Sequence, residues 1–220
     1  MPAPSATPIT DGASRRAALI AATLASFLTP FMGSSVNIAL PVIGREFGLD
    51  AVSLGWVATT YILAAAVFLL PFGRLADIKG RRRIFISGLA TYTVISIAIT
   101  LSESGAQLII LRAAQGISAA MLFGTGVAIL TSVFPPSERG KVLGLNAAAV
   151  YIGLSLGPTA GGLLTSAFGW RSIFLVTAVL SLLAFFFILT RMKTEWQETS
   201  GEGFDLRGAL VYGFGLTGLM

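Results

Sequence analysis

"YILAAAVFLLPFGRLADIKGRRRIFISGLA", residues 61–90, sets a knot of charge between two stretches that carry none. Its centre, GRLADIKGRRR at 73–83, holds five of the chain's fifteen basic residues and a single carboxylate, Asp77. On either side the chain runs uncharged, from Ala51 to Gly73 and from Ile84 to Ser102. Each run is long enough to cross the hydrocarbon core of a bilayer as a helix, which takes about 20 apolar residues. Reading outward from this point finds four more such runs: Ala17–Gly44, Ala113–Ser137, Val142–Trp170 and Ser172–Thr190.

Only 11% of the 220 residues are charged and 55% are hydrophobic, whereas a water-soluble domain carries about a quarter charged residues. Six buried helices of this kind would leave a soluble protein almost no polar surface. The fold class expected is therefore an all-α membrane protein with six transmembrane helices and the lipid bilayer as its solvent. After Arg207 a further run, Gly208–Met220, has thirteen residues. At about 1.5 Å per residue it is too short to cross, and it reads as the start of a truncated seventh helix. The organisation expected is a disordered cytoplasmic tail at 1–14, rich in Pro, Ala, Ser and Thr, a six-helix unit at 15–190, a cytoplasmic loop at 191–207 and the partial helix at 208–220. Arg15 and Arg16 before an apolar run imitate a signal peptide, but that run outlasts the usual core of about 7–15 residues and reads as a first span.

Cysteine and histidine are both absent. That removes disulfides, thiolate chemistry, imidazole metal sites and histidine acid–base catalysis together. No enzyme activity, catalytic set, metal, cofactor or nucleic-acid partner is expected.

Six spans make the connecting segments alternate between the two faces, so basic residues can be counted by side. One side holds Arg15, Arg16, the five of the 73–83 stretch, Arg139, Lys141, Arg191, Lys193 and Arg207, twelve of the fifteen; Arg45, Arg112 and Arg171 are left for the rest. The richer side is expected to be cytoplasmic, which places the N-terminus there in a multi-pass protein of the cell membrane. Orientation accounts for Arg82 and Arg83 but not for Asp77, because acidic residues contribute little to it. A carboxylate four residues before Arg81, with Gly73 and Gly80 flanking it and Gly80 free to make a tight turn, suggests a specific pairing, a latch.

GRLADIKGRRRIF resembles the signature loop between the second and third helices of the major facilitator superfamily. The resemblance implies that Gly73, Asp77, Gly80 and Arg81 form a conformational latch that helps to hold the outward-facing state. It further implies two six-helix halves, each built from two inverted three-helix repeats, with a substrate site between the halves near the bilayer midplane. This chain supplies one half. Within it, GRLADIKGRRR and PPSERGKVLG occupy equivalent cytoplasmic turns.

Arg112 is the only charge between Glu103 and Glu138. It can snorkel to the nearby interface, or it can stay inside, where a charge is costly and marks a functional candidate. With Gln115 and Gly116 it resembles the family's fourth-helix pattern, whose arginine is implied in proton or substrate coupling. In GLSLGPTAGG, the glycines at 153, 157 and 161 fall on one helix face, a common packing device, and Pro158 adds a missing backbone hydrogen bond and a bend. Gly153, Gly157, Pro158, Gly161 and Gly162 together resemble the antiporter signature found in exporters of the family.

NIALPVI at 37–43 and GWVATTYILAAAVFLLPFGRLAD at 55–77 resemble the fourteen-span drug:proton antiporter branch. Members commonly carry an aspartate five residues before the position of Asn37; here that residue is Met32. The first and fourth helices are implied to wall the cavity, which makes Asn37, Gln115, Met121 and Phe123 candidate contacts, although Met and Phe also fill gaps in any bundle. The function implied is secondary active transport, the proton-coupled export of lipophilic or cationic drugs by alternating access. The proton gradient would supply the energy, and the partners would be protons, a small-molecule drug and the missing C-terminal half. The rival is a truncated, non-transporting membrane fragment or interaction partner. An uptake symporter shares the fold but is disfavoured by GLSLGPTAGG.

Overall fold

The computed structural model describes residues 12–191 together with 208, 212, 213, 215, 217 and 218. Six helices follow one another: α1 (Gly12–Phe47), α2 (Ala51–Lys79), α3 (Arg81–Thr100), α4 (Gly105–Val133), α5 (Pro136–Phe168) and α6 (Arg171–Arg191). By length and composition each can cross a membrane. The expected tail overlaps α1 at its last residues, since the helix already begins at Gly12; the rest of that tail and the loop after Arg191 lie outside the described residues. The described residues from Gly208 to Gly218 are helical, and Tyr212 donates from Oη to the Ala66 carbonyl at 3.3 Å, which sets this segment beside α2.

Most helices run past the uncharged stretches at one end or both. Asp50 starts α2, its carboxylate accepting from the Ser53 backbone N–H at 2.9 Å. The side-chain and backbone hydrogen bonds from Ser53 hold that carboxyl below its ordinary range. Ser104 caps α4 by accepting from Gln107 N–H at 3.2 Å, while the Gln107 side chain accepts from Glu103 N–H at 3.0 Å, a reciprocal cap that satisfies two helix-end donors. As a result α4 begins at Gly105, ahead of Arg112, and ends before Pro135 and Pro136. Three turns depend on glycine: Gly48 at φ 62°, Gly80 at φ 105° and Gly169 at φ 81° adopt a backbone conformation that side-chain-bearing residues rarely reach.

Packing follows an exchange of α1–α3 with α4–α6. The two most extensive helix pairs are α1 on α5 and α2 on α4, which that exchange interchanges. Three spans per unit is an odd number, so the second unit enters from the opposite face and the repeats are inverted. The turn equivalent to α2–α3 is therefore α5–α6, at the other end of the bundle. PPSERGKVLG, the α4–α5 turn, pairs instead with the α1–α2 turn, which corrects the equivalence read from the sequence.

The interior is apolar at both ends. Phe85, Leu89, Tyr92, Leu122 and Ile129 fill one end, and Met32, Val57, Trp170 and Phe174 the other. Outward faces of α2 and α5 leave Ile62, Leu70, Tyr151, Leu163 and Phe168 exposed, as surfaces in contact with lipid or further protein require.

Candidate functional site: a cavity beside a buried arginine

Asp77 sits two residues before the end of α2 and Arg81 opens α3, with the Gly80 turn between them. Arg81 donates to Asp77 Oδ1 from Nε at 3.0 Å and from its other terminal nitrogen at 2.8 Å. The same guanidinium reaches across to α4, donating to the Ala128 carbonyl at 3.1 Å and to the Ser132 hydroxyl. The pair expected from the four-residue spacing is thus formed, and it ties the α2–α3 turn to the end of α4. Gly73 takes part differently. A side chain there would meet nothing, but the Gly73 backbone lies where α4 approaches at Gly124.

Arg112 does not snorkel. It is 1% exposed and turns into the bundle, donating from Nε to the Val57 carbonyl on α2 at 3.1 Å and from a terminal nitrogen to Gln115 Oε1 at 2.6 Å. Gln115 passes the network on to Ser96 of α3 at 2.9 Å. The guanidinium lies 4.2 Å from the centre of the Tyr61 ring and 5.9 Å from that of Phe174, contacts in which the ring faces attract the cation. Among the described residues no carboxylate pairs with Arg112. Gly116 is what permits this network. A Cβ there would collide with the Tyr61 carbonyl oxygen and lie 2.9 Å from the Ala64 side chain, so its absence lets α4 press against α2.

The glycines of α5 play the same part against α1. A Cβ at Gly153 would lie 3.2 Å from Phe31 N, one at Gly157 3.0 Å from the Phe31 carbonyl oxygen, and one at Gly161 2.8 Å from Ser35 Cα. Ser35 donates to the Gly157 carbonyl at 3.0 Å and Ser34 to the Gly153 carbonyl at 3.4 Å. Gly162 differs: its nearest neighbour would be Ile38 Cγ2 at 3.7 Å, an ordinary contact. Pro158, on the outer side of α5, leaves the Leu154 carbonyl without its usual helical donor.

Between α1, α2, α4 and α5 lies a cavity of about 330 Å³, lined by Thr29, Gly33, Asn37, Tyr61, Phe123 and Leu154 among others. Among the described residues no charged side chain lines it. Asn37 and Phe123 are there as expected; Met121 and Gln115 are not. Met121 packs with Ala76 and Ile84 against α3, because two residues along a helix turn it about 200° from Phe123. Gln115 is buried in the Arg112 network. Met32 is also fully buried, in the cluster with Val57 and Phe174, and is not a lining residue.

The sequence reading missed Tyr61, which joins the two regions. Its ring lines the cavity and covers Arg112, and its hydroxyl donates to the Thr29 carbonyl at 3.1 Å. The spacing of Thr29, Gly33 and Asn37, four residues apart in an apolar run, was the available signal for the lining face of α1. Among the described residues, no three Asp or Glu side chains come together in a set that could hold a metal.

Comparisons with known proteins agree with this architecture. The family model of the Major Facilitator Superfamily matches residues 22–216. The multidrug resistance protein Stp of Mycobacterium tuberculosis (strain ATCC 25618 / H37Rv) is 38% identical over 195 residues, covering 88% of this chain and 36% of Stp. The riboflavin transporter RibZ of Clostridioides difficile (strain 630) is 32% identical over 88% of this chain and 42% of RibZ. The cephamycin export protein CmcT of Amycolatopsis lactamdurans is 37% identical over 91% of this chain and 42% of CmcT. The chain thus spans less than half the length of these relatives. A solved structure of the peptide transporter POT in complex with sulfate superposes with a TM-score of 0.75 at 16% identity, over 92% of this chain and 44% of that one; at that identity it speaks for the fold alone. The family and these relatives are transporters, not enzymes. With its six apolar helices in two inverted repeats, this chain is a multi-pass membrane protein that belongs to the Major Facilitator Superfamily.

Proposed function

We propose that this chain is the N-terminal half of a proton-coupled exporter of lipophilic drugs, working by alternating access in the cell membrane with its N-terminus cytoplasmic. The observation that carries the reading is the cavity of about 330 Å³, whose wall is apolar and uncharged and is drawn from helices of both repeats. Such a wall recognises substrates by burying apolar surface and through a few polar groups, here Asn37 and the Thr29 hydroxyl. The name of CmcT, a cephamycin export protein, supports export and that of Stp, a multidrug resistance protein, supports a drug as substrate; the resemblance of Gly153–Gly162 to the exporters' signature adds to both. A second half would complete the cavity, covering the apolar faces of α2 and α5.

Asp77 and Arg81 act as the latch between conformations, and Arg112 as a fixed positive charge one side chain away from the substrate. Among the described residues no acidic side chain lines the cavity, which favours a proton-carrying acid in the remainder of the transporter. Arg112 would tune it by favouring its ionised form. Filling the cavity tests the reading. In the full-length protein, Phe123→Trp should change the relative export of bulky and small drugs by about tenfold, the scale of a misfit of one or two carbon groups, while the yield of folded protein stays the same. An unaltered substrate profile would remove the cavity from the transport path.

A further inference from the structure

Two turns of this chain are built alike. At α2–α3, Gly80 is followed by Arg81, Arg82, Arg83, Ile84 and Phe85; at α5–α6, Gly169 is followed by Trp170, Arg171, Ser172, Ile173 and Phe174. Both glycines have positive φ, 105° and 81°. Both Ile–Phe pairs are buried. Each turn places an arginine at the start of the next helix, and each arginine binds a carboxylate. Arg81 binds Asp77 and then the far end of α4, through Ala128 and Ser132. Arg171 binds Glu46 at the far end of α1, at 2.5 Å, and the carbonyls of Thr100, the last residue of α3, and of Ser102 just beyond it, at 3.1 and 2.9 Å. Exchanging the two repeats turns α3 into α6 and α4 into α1, so Arg81 and Arg171, one position out of register with each other, both reach from the start of a third helix to the end of a first helix, at opposite ends of the bundle; the carboxylates sit differently, Asp77 on α2 and Glu46 on α1.

The ion pair of the second turn is the more exposed of the two, but a buried aromatic ring backs it. Trp170, 1% exposed, donates from Nε1 to Glu46 Oε2 at 2.7 Å, so both carboxylate oxygens are held. Its ring lies 4.3 Å from the Arg171 guanidinium and meets Phe47 and Phe174 edge-on. These contacts join α1, α3 and α6 at one membrane face. Phe174 also faces Arg112, so one ring is shared with that network, while Glu46, Trp170 and Arg171 line neither the network nor the cavity.

We propose that Glu46, Trp170 and Arg171 form a second clasp, the inverted counterpart of Asp77–Arg81, and that the two bias the transporter towards opposite conformations. The repeat exchange inverts the bundle across the membrane, so a contact that favours opening at one face becomes, at its counterpart, one that favours opening at the other. These are positioning residues and touch no substrate. The inference rests on the alternating-access reading above.

The test uses the full-length transporter in a cysteine-free background with Ala65→Cys as a reporter, since Ala65 lines the cavity. A membrane-impermeant maleimide is applied from each face in turn, without substrate, and the ratio of the two labelling rates is read. Labelling from both faces in the parent establishes alternating access independently of the clasp; labelling from one face only would refute that reading. Asp77→Asn and Glu46→Gln should shift the ratio in opposite directions, by about fivefold or more each, the scale of a coupling between two states. Trp170→Phe keeps the ring and loses one hydrogen bond, so it should shift the ratio in the Glu46→Gln direction by less, and it decides the matter if Glu46→Gln does not fold. Shifts of the same sign, or an unchanged ratio in folded Glu46→Gln or Trp170→Phe protein, would overturn the clasp and leave these residues as packing.

Discussion

Arg112 is held by geometry that only a guanidinium supplies. Its Nε and a terminal nitrogen serve acceptors on different helices, Val57 O and Gln115 Oε1, while the flat face lies on Tyr61. An ammonium cannot fork in this way. Arg112→Lys in the full-length protein should therefore keep the charge yet lose most transport, with folded yield changed little, because each hydrogen bond inside a membrane bundle is worth only about 1 kcal/mol. Proteoliposome uptake alongside a thermal melt would check it; wild-type transport in Arg112→Lys would reduce Arg112 to a bare charge. That Arg112 lies within a span was legible in the chain. Its direction was not, since snorkelling and burial differ only in what the neighbouring helices offer, and that depends on Gly116 bringing the Val57 and Tyr61 region of α2 close. Tyr61 escaped notice for a related reason. In an apolar run an aromatic residue reads as wall until the cation behind it is known.

The fifth helix separates packing glycines from a permissive one. Gly157 meets the α1 backbone and Ser34, so Gly157→Ala must push α5 away and should cost about 1–3 kcal/mol, the usual range for overpacking. It also disturbs the Ser35 bond to the Gly157 carbonyl. Gly162, with ordinary space around its Cβ position, should accept alanine with a gain of up to about 1 kcal/mol from helix propensity. Melting temperatures of the two variants in detergent would show a drop for the first and no drop for the second; equal effects would mean that α1 and α5 do not pack as described. The four-residue spacing of 153, 157 and 161 made this face readable from sequence, and the structure adds only that α1 is what it meets. Assigning Gly162 to the same motif was a matter of resemblance, and geometry sets it apart. The α2–α3 pairing was equally legible, because Asp77 and Arg81 are one helical turn apart across a glycine.

At the scale of the whole chain, six spans could be counted from charge-free runs, and their order alone makes the repeats inverted. Which turns correspond was harder to read. The link between GRRRIF and GWRSIF is only four identical positions, with Arg171 opposite Arg82, and it becomes meaningful when both glycines prove to have positive φ and Arg81 and Arg171, one position out of register, each reach a distant helix end. The helix ends also shifted: the Ser104 cap starts α4 ahead of its apolar run, whereas Asp50 starts α2 where its run begins and the helix overshoots at its other end, to Lys79. The proposed sidedness rests on the twelve-to-three distribution of Lys and Arg. Single cysteines at Ser137 and Ser104 should accordingly react with an impermeant reagent from inside and outside the cell respectively; labelling of position 137 from outside intact cells would reverse the orientation.

The central claim is that the complete protein exchanges protons for drug through the cavity that this half walls. The most direct measurement is the flux of a lipophilic dye in proteoliposomes of the full-length transporter, with and without an imposed pH gradient. The account predicts dye movement against the proton flow that ceases when a protonophore collapses the gradient, and an altered dependence on pH in Arg112→Ala. Dye movement indifferent to the gradient, or none in correctly folded protein, would contradict it.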